Sequence, residues 1–241
     1  MRKINCTCAV DKQCKHCYDK ERRLKMKSGD WKFNTPMPDK LSVEQDQVLI
    51  GGLLGDFYLY QNVNHFNAGI ASGRAVKDKK YMEYEYDLFK DFCNDGIKER
   101  NYFDKRTNKT YYGVWFRTRV SKVFTPYKKK WYPNGTKIVP QDLKLTPLIC
   151  AIWFCDDGSV IRVSKTNCKL QLATDGFKKK EVEFLSSLLQ KEIGGEFKVY
   201  AKEGNFVICA YHDTAIKFIK YIQSEFPKSM KRKSNKWKGI V

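Results

Sequence analysis

The chain of 241 residues is 42% hydrophobic, rich enough in apolar side chains for a packed core and too rich for a disordered chain. It has no run of eighteen apolar residues, which argues against a membrane span, and no apolar signal core near its start, so an intracellular rather than secreted protein is expected, in a microbial or phage-host cytoplasm or an organelle. Its 46 Lys and Arg against 27 Asp and Glu leave a formal charge of +19, spread along the whole length and interleaved with Tyr, Trp, Asn and Gln, a surface suited to nucleic-acid phosphates.

Residues 1–40 read as a Cys-rich extension. Cys6, Cys8, Cys14 and Cys17 form C-x-C-x5-C-x2-C, and four thiolates could hold a structural Zn²⁺ in a segment too short for its own core. The stretch "KERRLKMK" behind this knuckle is placed to meet flanking phosphates, and "NTPMP" reads as a linker. Cys93, Cys150, Cys155, Cys168 and Cys209 sit in apolar or strand-like surroundings and are expected in the core.

The main body opens at "LSVEQDQVLIGGLLGDFY", a helix with Ser42 as N-cap and Gln45 at the capping-box position. Strands follow in "FYLYQNV" and "GIASGRAV", then a helix in "KKYMEYEYDLFKDFC", a strand in "KTYYGVWFRT" and a helix interrupted near Pro126. A second round runs from "LTPLICAIWFCDDG", with Pro147 in the first turn, through "SVIRVSK" and "KLQLAT" to "KKKEVEFLSSLLQKEIGG", stopped at Gly194 and Gly195. Strands "EFKVY" and "NFVICAYH" and the helix "DTAIKFIKYIQSEF" complete it. This is an internal repeat at domain scale, with halves expected at 41–140 and 141–241 and the two apolar, acid-ended helices at their seam.

Gly51 and Gly55 are spaced to clear a strip for close helix approach, and the bulky Ile152 and Trp153 could fill it. Asp56 and Asp157 would then emerge together, where carboxylates and helix C-termini repel one another. A divalent cation reverses that balance, because hard oxygen ligands suit Mg²⁺, with Mn²⁺ as a substitute. Such an ion could activate water for phosphodiester hydrolysis. Asp156 reads as a cap or support.

On these residues the chain resembles the LAGLIDADG homing endonucleases of the single-chain, two-motif type: "LIGGLLGDF" at 49–57 and "CAIWFCDDG" at 150–158 align with the family motif, placing its acids at Asp56 and Asp157. The resemblance covers nearly all of 41–241 and implies an α+β fold of two pseudo-symmetric αββαββα lobes. Their antiparallel sheets would form a saddle on double-stranded DNA with a long target site. It further implies a monomer that uses Mg²⁺ to cut both strands and leave short 3′ overhangs. A lysine before an I-x-P turn matches Lys137 in "GTKIVP"; its counterpart after P-x-S-M, in "PKSMKRK", is Lys233, with Arg232 as the alternative. The same scaffold serves RNA-binding maturases, so intron RNA is the alternative partner.

Strand alternation selects the recognition face. It assigns to DNA Ser72 and Arg74 in the second strand, Trp115 and Arg117 in "YYGVWFRT", Arg162 in "SVIRVSK", and Lys169 and Gln171 in "CKLQLAT". Arginine favours guanine edges and glutamine adenine edges in the major groove.

Overall fold

The computed structural model describes residues 36–61, 66–164 and 167–237. The first half comprises α1 (Val43–Leu54), β1 (Tyr58–Tyr60), β2 (Gly69–Ala75), α2 (Lys79–Phe89), β3 (Lys98–Asp104), β4 (Lys109–Arg117) and α3 (Thr125–Trp131). The second comprises α4 (Pro147–Asp157), β5 (Gly158–Arg162), β6 (Cys168–Ala173), α5 (Lys179–Ile193), β7 (Lys198–Lys202), β8 (Asn205–Tyr211) and α6 (His212–Ile222), followed by the short α7 (Lys231–Ser234). The order is αββαββα twice.

Each half builds one antiparallel four-stranded sheet, in the orders β1-β2-β4-β3 and β5-β6-β8-β7. Leu59, Ile70, Val114 and Phe116 face the helices in the first sheet, and Val160, Leu170, Leu172, Ile208 and Ala210 do so in the second. Helices cover one face of each sheet and leave the other to solvent, the usual source of alternation along antiparallel strands. Among the described residues no helix is long and apolar enough to cross a membrane.

Local chemistry sets the start of both central helices. At α1 the Ser42 Oγ accepts from the Gln45 N–H at 3.1 Å, and Gln45 Oε1 accepts from the Ser42 N–H at 2.8 Å. At α4 the Thr146 Oγ1 accepts from the Ile149 N–H at 3.2 Å, and Pro147 takes the first turn, where no N–H is needed. Every residue of α4 from Leu148 to Cys155 is buried, as befits a helix apolar on all sides. Gly194 ends α5 at φ +76°, a conformation only glycine adopts without strain.

The central helices meet along the glycine strip. A Cβ on Gly51 would stand 2.7 Å from Ile152 Cβ and 2.8 Å from the Ile149 carbonyl oxygen. One on Gly55 would stand 2.4 Å from Cβ of Asp156. The expected apolar knob is therefore Ile152 at Gly51, whereas at Gly55 the notch holds a carboxylate side chain and not Trp153.

Two elements differ from expectation. Strand β3, "KERNYFD", has no apolar alternation because the β3–β4 hairpin runs out beyond the helical layer, leaving nearly all its side chains exposed. Pro126 does not interrupt a helix; it lies in the first turn of α3.

Because even a methyl group at Gly51 meets backbone, Gly51→Val is expected to cost about 3 kcal/mol through forced separation of the helices. Urea unfolding checks this: a midpoint indistinguishable from the parent would mean that the seam yields freely.

Candidate active site and nucleic-acid interface

Asp56 lies in the turn after α1, and Asp157 is the last residue of α4. The Asp56 side chain is 42% exposed, that of Asp156 fully buried, and Asp157 is half-buried. Asp156 Oδ2 accepts from the Asp56 N–H at 3.0 Å, so the second helix closes the end of the first across the seam. Gly55 supplies the space for that contact.

Two lysines close the carbonyl-rich helix ends. Lys137 Nζ donates to the carbonyl oxygens of Gly55 (3.1 Å) and Phe57 (3.3 Å). Lys233 Nζ donates to those of Phe154 (2.8 Å), Asp156 (3.1 Å) and Gly158 (2.8 Å). When Asp56 is matched to Asp157, Gly55 falls on Asp156 and Phe57 on Gly158, so both lysines grip equivalent carbonyls. Arg232 instead turns outward to Asp78, with Nη2 donating at 2.7 Å. By position the partner of Lys137 is Lys233. Burial holds both ammonium groups down at about 8, opposed by the nearby aspartates.

Ser72 and Arg74, expected on the open face of the sheet, do not lie there. Both are buried on the helix side of β2, in phase with Ile70. Their polarity is satisfied internally: Arg74 Nη1 donates to Asp56 Oδ2 and Nη2 to Asp156 Oδ1, each at 2.8 Å, while Nε donates to Glu85 Oε2 at 2.9 Å. The guanidinium lies 4.4 Å from the Tyr81 ring centroid, and Ser72 Oγ donates to Glu85. One guanidinium faces three carboxylates and cannot neutralise them all. Burial, with this surplus negative charge, pushes the Glu85 and Asp156 carboxyls up. Asp157 is pushed up to about 7 by burial first, then by Asp56 and Asp156.

The solvent faces of the sheets carry the remaining candidates. Trp115 and Arg117 point outward, with Lys98 Nζ 5.7 Å and the Arg117 guanidinium 5.9 Å from the Trp115 ring centroid. Lys169 and Gln171 also point outward, and Lys169 Nζ lies 5.4 Å from the Tyr200 ring and 5.6 Å from the Tyr211 ring. Arg162 falls on the opposite side: it pairs with Cys168, in phase with the buried Val160, and Ile161 takes the outward position opposite Lys169. Ile161 is exposed because it lies on the solvent face, and Arg162 ends the strand exposed on the helix side, so the polarity pattern misleads. Sequence reading missed Arg100, whose side chain crosses the outward face above Gly73 and Gly113, 3.3 and 3.6 Å from the Cβ positions those glycines lack. The two glycines were the available signal, since a strand glycine marks close approach.

Cys6, Cys8, Cys14 and Cys17 lie outside the described residues. Cys150, Cys155, Cys168 and Cys209 are buried and Cys93 is half-buried, all as free thiols. Among the described residues, no three His, Cys, Asp or Glu side chains converge as a preformed metal cage.

The sequence pattern of the LAGLIDADG DNA endonuclease family matches residues 46–218, and the chain belongs to that family. The cytochrome b mRNA maturase bI2 of Debaryomyces hansenii is 29% identical over 161 residues, 65% of this chain and 58% of that protein. The probable intron-encoded endonuclease 1 of Wickerhamomyces canadensis is 30% identical over 154 residues, 60% of this chain and 64% of its own length. The chain thus spans somewhat under two thirds of both relatives. The solved structure of the homing endonuclease I-WcaI bound to its DNA recognition sequence shares the fold, with a TM-score of 0.75 at 24% identity over 86% of this chain and 91% of that one.

A carboxyl held at about 7 in the fold but at its ordinary 3.8 when unfolded is ionised at a cost above pH 7. Asp157→Asn removes that cost and is expected to stabilise the protein by about 2 kcal/mol at pH 8, after discounting for partial exposure. The gain fades as pH falls from 7 towards 4, where the parent carboxyl is also protonated. Thermal melts of both proteins at pH 8 and pH 5 check it; a variant less stable than its parent at pH 8 contradicts this account of the site.

Proposed function

We propose that the chain is a site-specific homing endonuclease that hydrolyses both strands of a long double-stranded DNA target with a divalent cation, leaving short 3′ overhangs. The observation carrying this reading is the paired helix ends, joined by the Asp56 N–H donating to Asp156, with a lysine on equivalent carbonyls beside each acid.

The donor chemistry fits a hard cation. Oxygen ligands dominate, and the carboxylates outnumber the single guanidinium among them. Asp56 and Asp157 would hold Mg²⁺, or Mn²⁺ in its place, with water and phosphate oxygens completing the coordination. The bound metal supplies an activated water and stabilises the leaving oxygen. Lys137 and Lys233 keep positive charge beside the scissile phosphate while fixing the two helix ends in register. Their burial reduces water around the charge they present.

The outward faces of the two sheets supply the DNA surface. Trp115 and Arg117 on one sheet and Lys169 and Gln171 on the other read base edges and phosphates, joined by Lys98 and Arg100. Both acids belong to one chain, so a monomer suffices for two cuts. Cys6, Cys8, Cys14 and Cys17 would add a structural Zn²⁺. The setting is intracellular, where its DNA lies.

A second reading, an intron-RNA-binding maturase, is favoured by the likeness to the bI2 maturase. Selection of cleaved sites from a randomised DNA library in Mg²⁺, repeated in EDTA, separates the two. Metal-dependent double-strand cuts are expected, with Asp56→Asn and Asp157→Asn each lowering the rate by about 10³-fold. Tight binding of intron RNA without cleavage of any DNA in Mg²⁺ or Mn²⁺ would instead establish the maturase.

A further inference from the structure

The two acidic ends are alike in their lysines and unlike in their neighbours. In the first half, β1 pairs with β2 so that Tyr58 opposes Ala71; in the second, Ser159 opposes Gln171. Matching Asp56 to Asp157 sets Tyr58 on Ser159 and Ala71 on Gln171, so Arg74 corresponds to Thr174. Thr174 is buried and donates its hydroxyl to the Phe206 carbonyl. Asp56 therefore carries a bonded guanidinium that Asp157 lacks.

We infer that Arg74 is a built-in counter-ion that competes with a divalent cation for Asp56, so that the two acids load unequally and the Asp157 side fills first. This rests on the reading of the two acids as metal ligands. The geometry supports competition rather than simple support. Arg74 engages Asp56 Oδ2 at 2.8 Å with a side chain only 4% exposed, so its charge is poorly screened by water. A cation approaching the same carboxylate must displace that contact or use the other oxygen beside a fixed positive charge. Arg74 is held from behind by Glu85, also fully buried, and by Asp156. It is thus a positioning residue whose effective charge depends on how many carboxylates share it.

That dependence gives two substitutions of opposite sign. Arg74→Gln removes the competitor and should strengthen cation binding at Asp56. Glu85→Gln removes a carboxylate that shares Arg74, leaving more of its positive field on Asp56, and should weaken binding there. A merely structural role would weaken binding in both.

The test uses the full chain and Mn²⁺ alone, with free Mn²⁺ followed by electron paramagnetic resonance and folding by circular dichroism. The Asp157→Asn background isolates the Asp56 side, and the Asp56→Asn background isolates the Asp157 side. On the Asp56 side, Arg74→Gln is expected to tighten Mn²⁺ binding by about tenfold and Glu85→Gln to loosen it by several-fold, with changes below about threefold on the Asp157 side. Shifts of the same sign on the Asp56 side, or equal shifts on both sides, overturn the inference. If Arg74→Gln does not fold, Glu85→Gln decides: looser binding supports competition and unchanged binding overturns it. Absence of Mn²⁺ binding to the parent and to both single-acid backgrounds would remove the metal-ligand reading and this inference with it.

Discussion

The structure depends on one unfavourable convergence. Two helices packed over Gly51 and Gly55 bring Asp56, Asp156, Asp157 and two sets of unpaired helix-end carbonyls to one end of the seam. Each helix C-terminus adds partial negative charge, so neither carboxylates nor carbonyls favour the meeting. The protein compensates with three buried or mostly buried cations aimed at particular atoms: Arg74 at carboxylates, Lys137 and Lys233 at carbonyls. The compensation is incomplete: burial first, then Asp56 and Asp156, push the Asp157 carboxyl up. A large basic surface could not substitute for these cations, because exposed charges are screened over about 10 Å at ordinary salt.

Placing the acids at the seam also decides what the sheets can do. The helices occupy one face of each sheet and leave the other open, and there both halves adopt the same device. A cation lies against aromatic rings: Lys98 and Arg117 near Trp115, and Lys169 near Tyr200 and Tyr211. Such pairs hold long side chains in defined positions at modest energetic gain and keep their charge at the surface. The interleaving of Lys and Arg with Tyr and Trp along the chain is therefore partly a structural pattern, with the aromatic rings serving as platforms for the cations.

Much of this was legible in the letters. The repeat, the start of α1 at Ser42, the start of α4 at Pro147 and strands β6 and β8 follow from periodicity and local signals, because burial there obeys the polarity of each residue. Legibility fails where it does not. Arg74 and Ser72 read as surface residues on polarity, yet lie inside because Glu85 and Asp156 satisfy them, and those partners come from a different helix and from the other half of the chain. Arg162 read as a residue of the open face, yet stands on the helix side at the end of β5, while Ile161 takes the open face and is 46% exposed. Strand β3 carried no pattern since its hairpin has little to bury against. Local sequence records a residue's own preference but not a distant partner that overrides it.

The seam shows how far the two halves have become complementary rather than identical. Gly51 meets Ile152 and Gly55 meets Asp156, a notch on one helix against a bulk on the other. Two copies of α1 facing each other would leave a gap along the glycine strip, losing contacts that close packing supplies. Two copies of α4 would press Ile152 against Ile152 and set one buried Asp156 beside another without the arginine that only β2 carries. The pairing of α1 with α4 is therefore preferred on packing and on charge at once. That heterologous fit ties one Arg74 to one Asp56 per chain, and so the inequality between the two acidic ends is built into the same contact that brings them together.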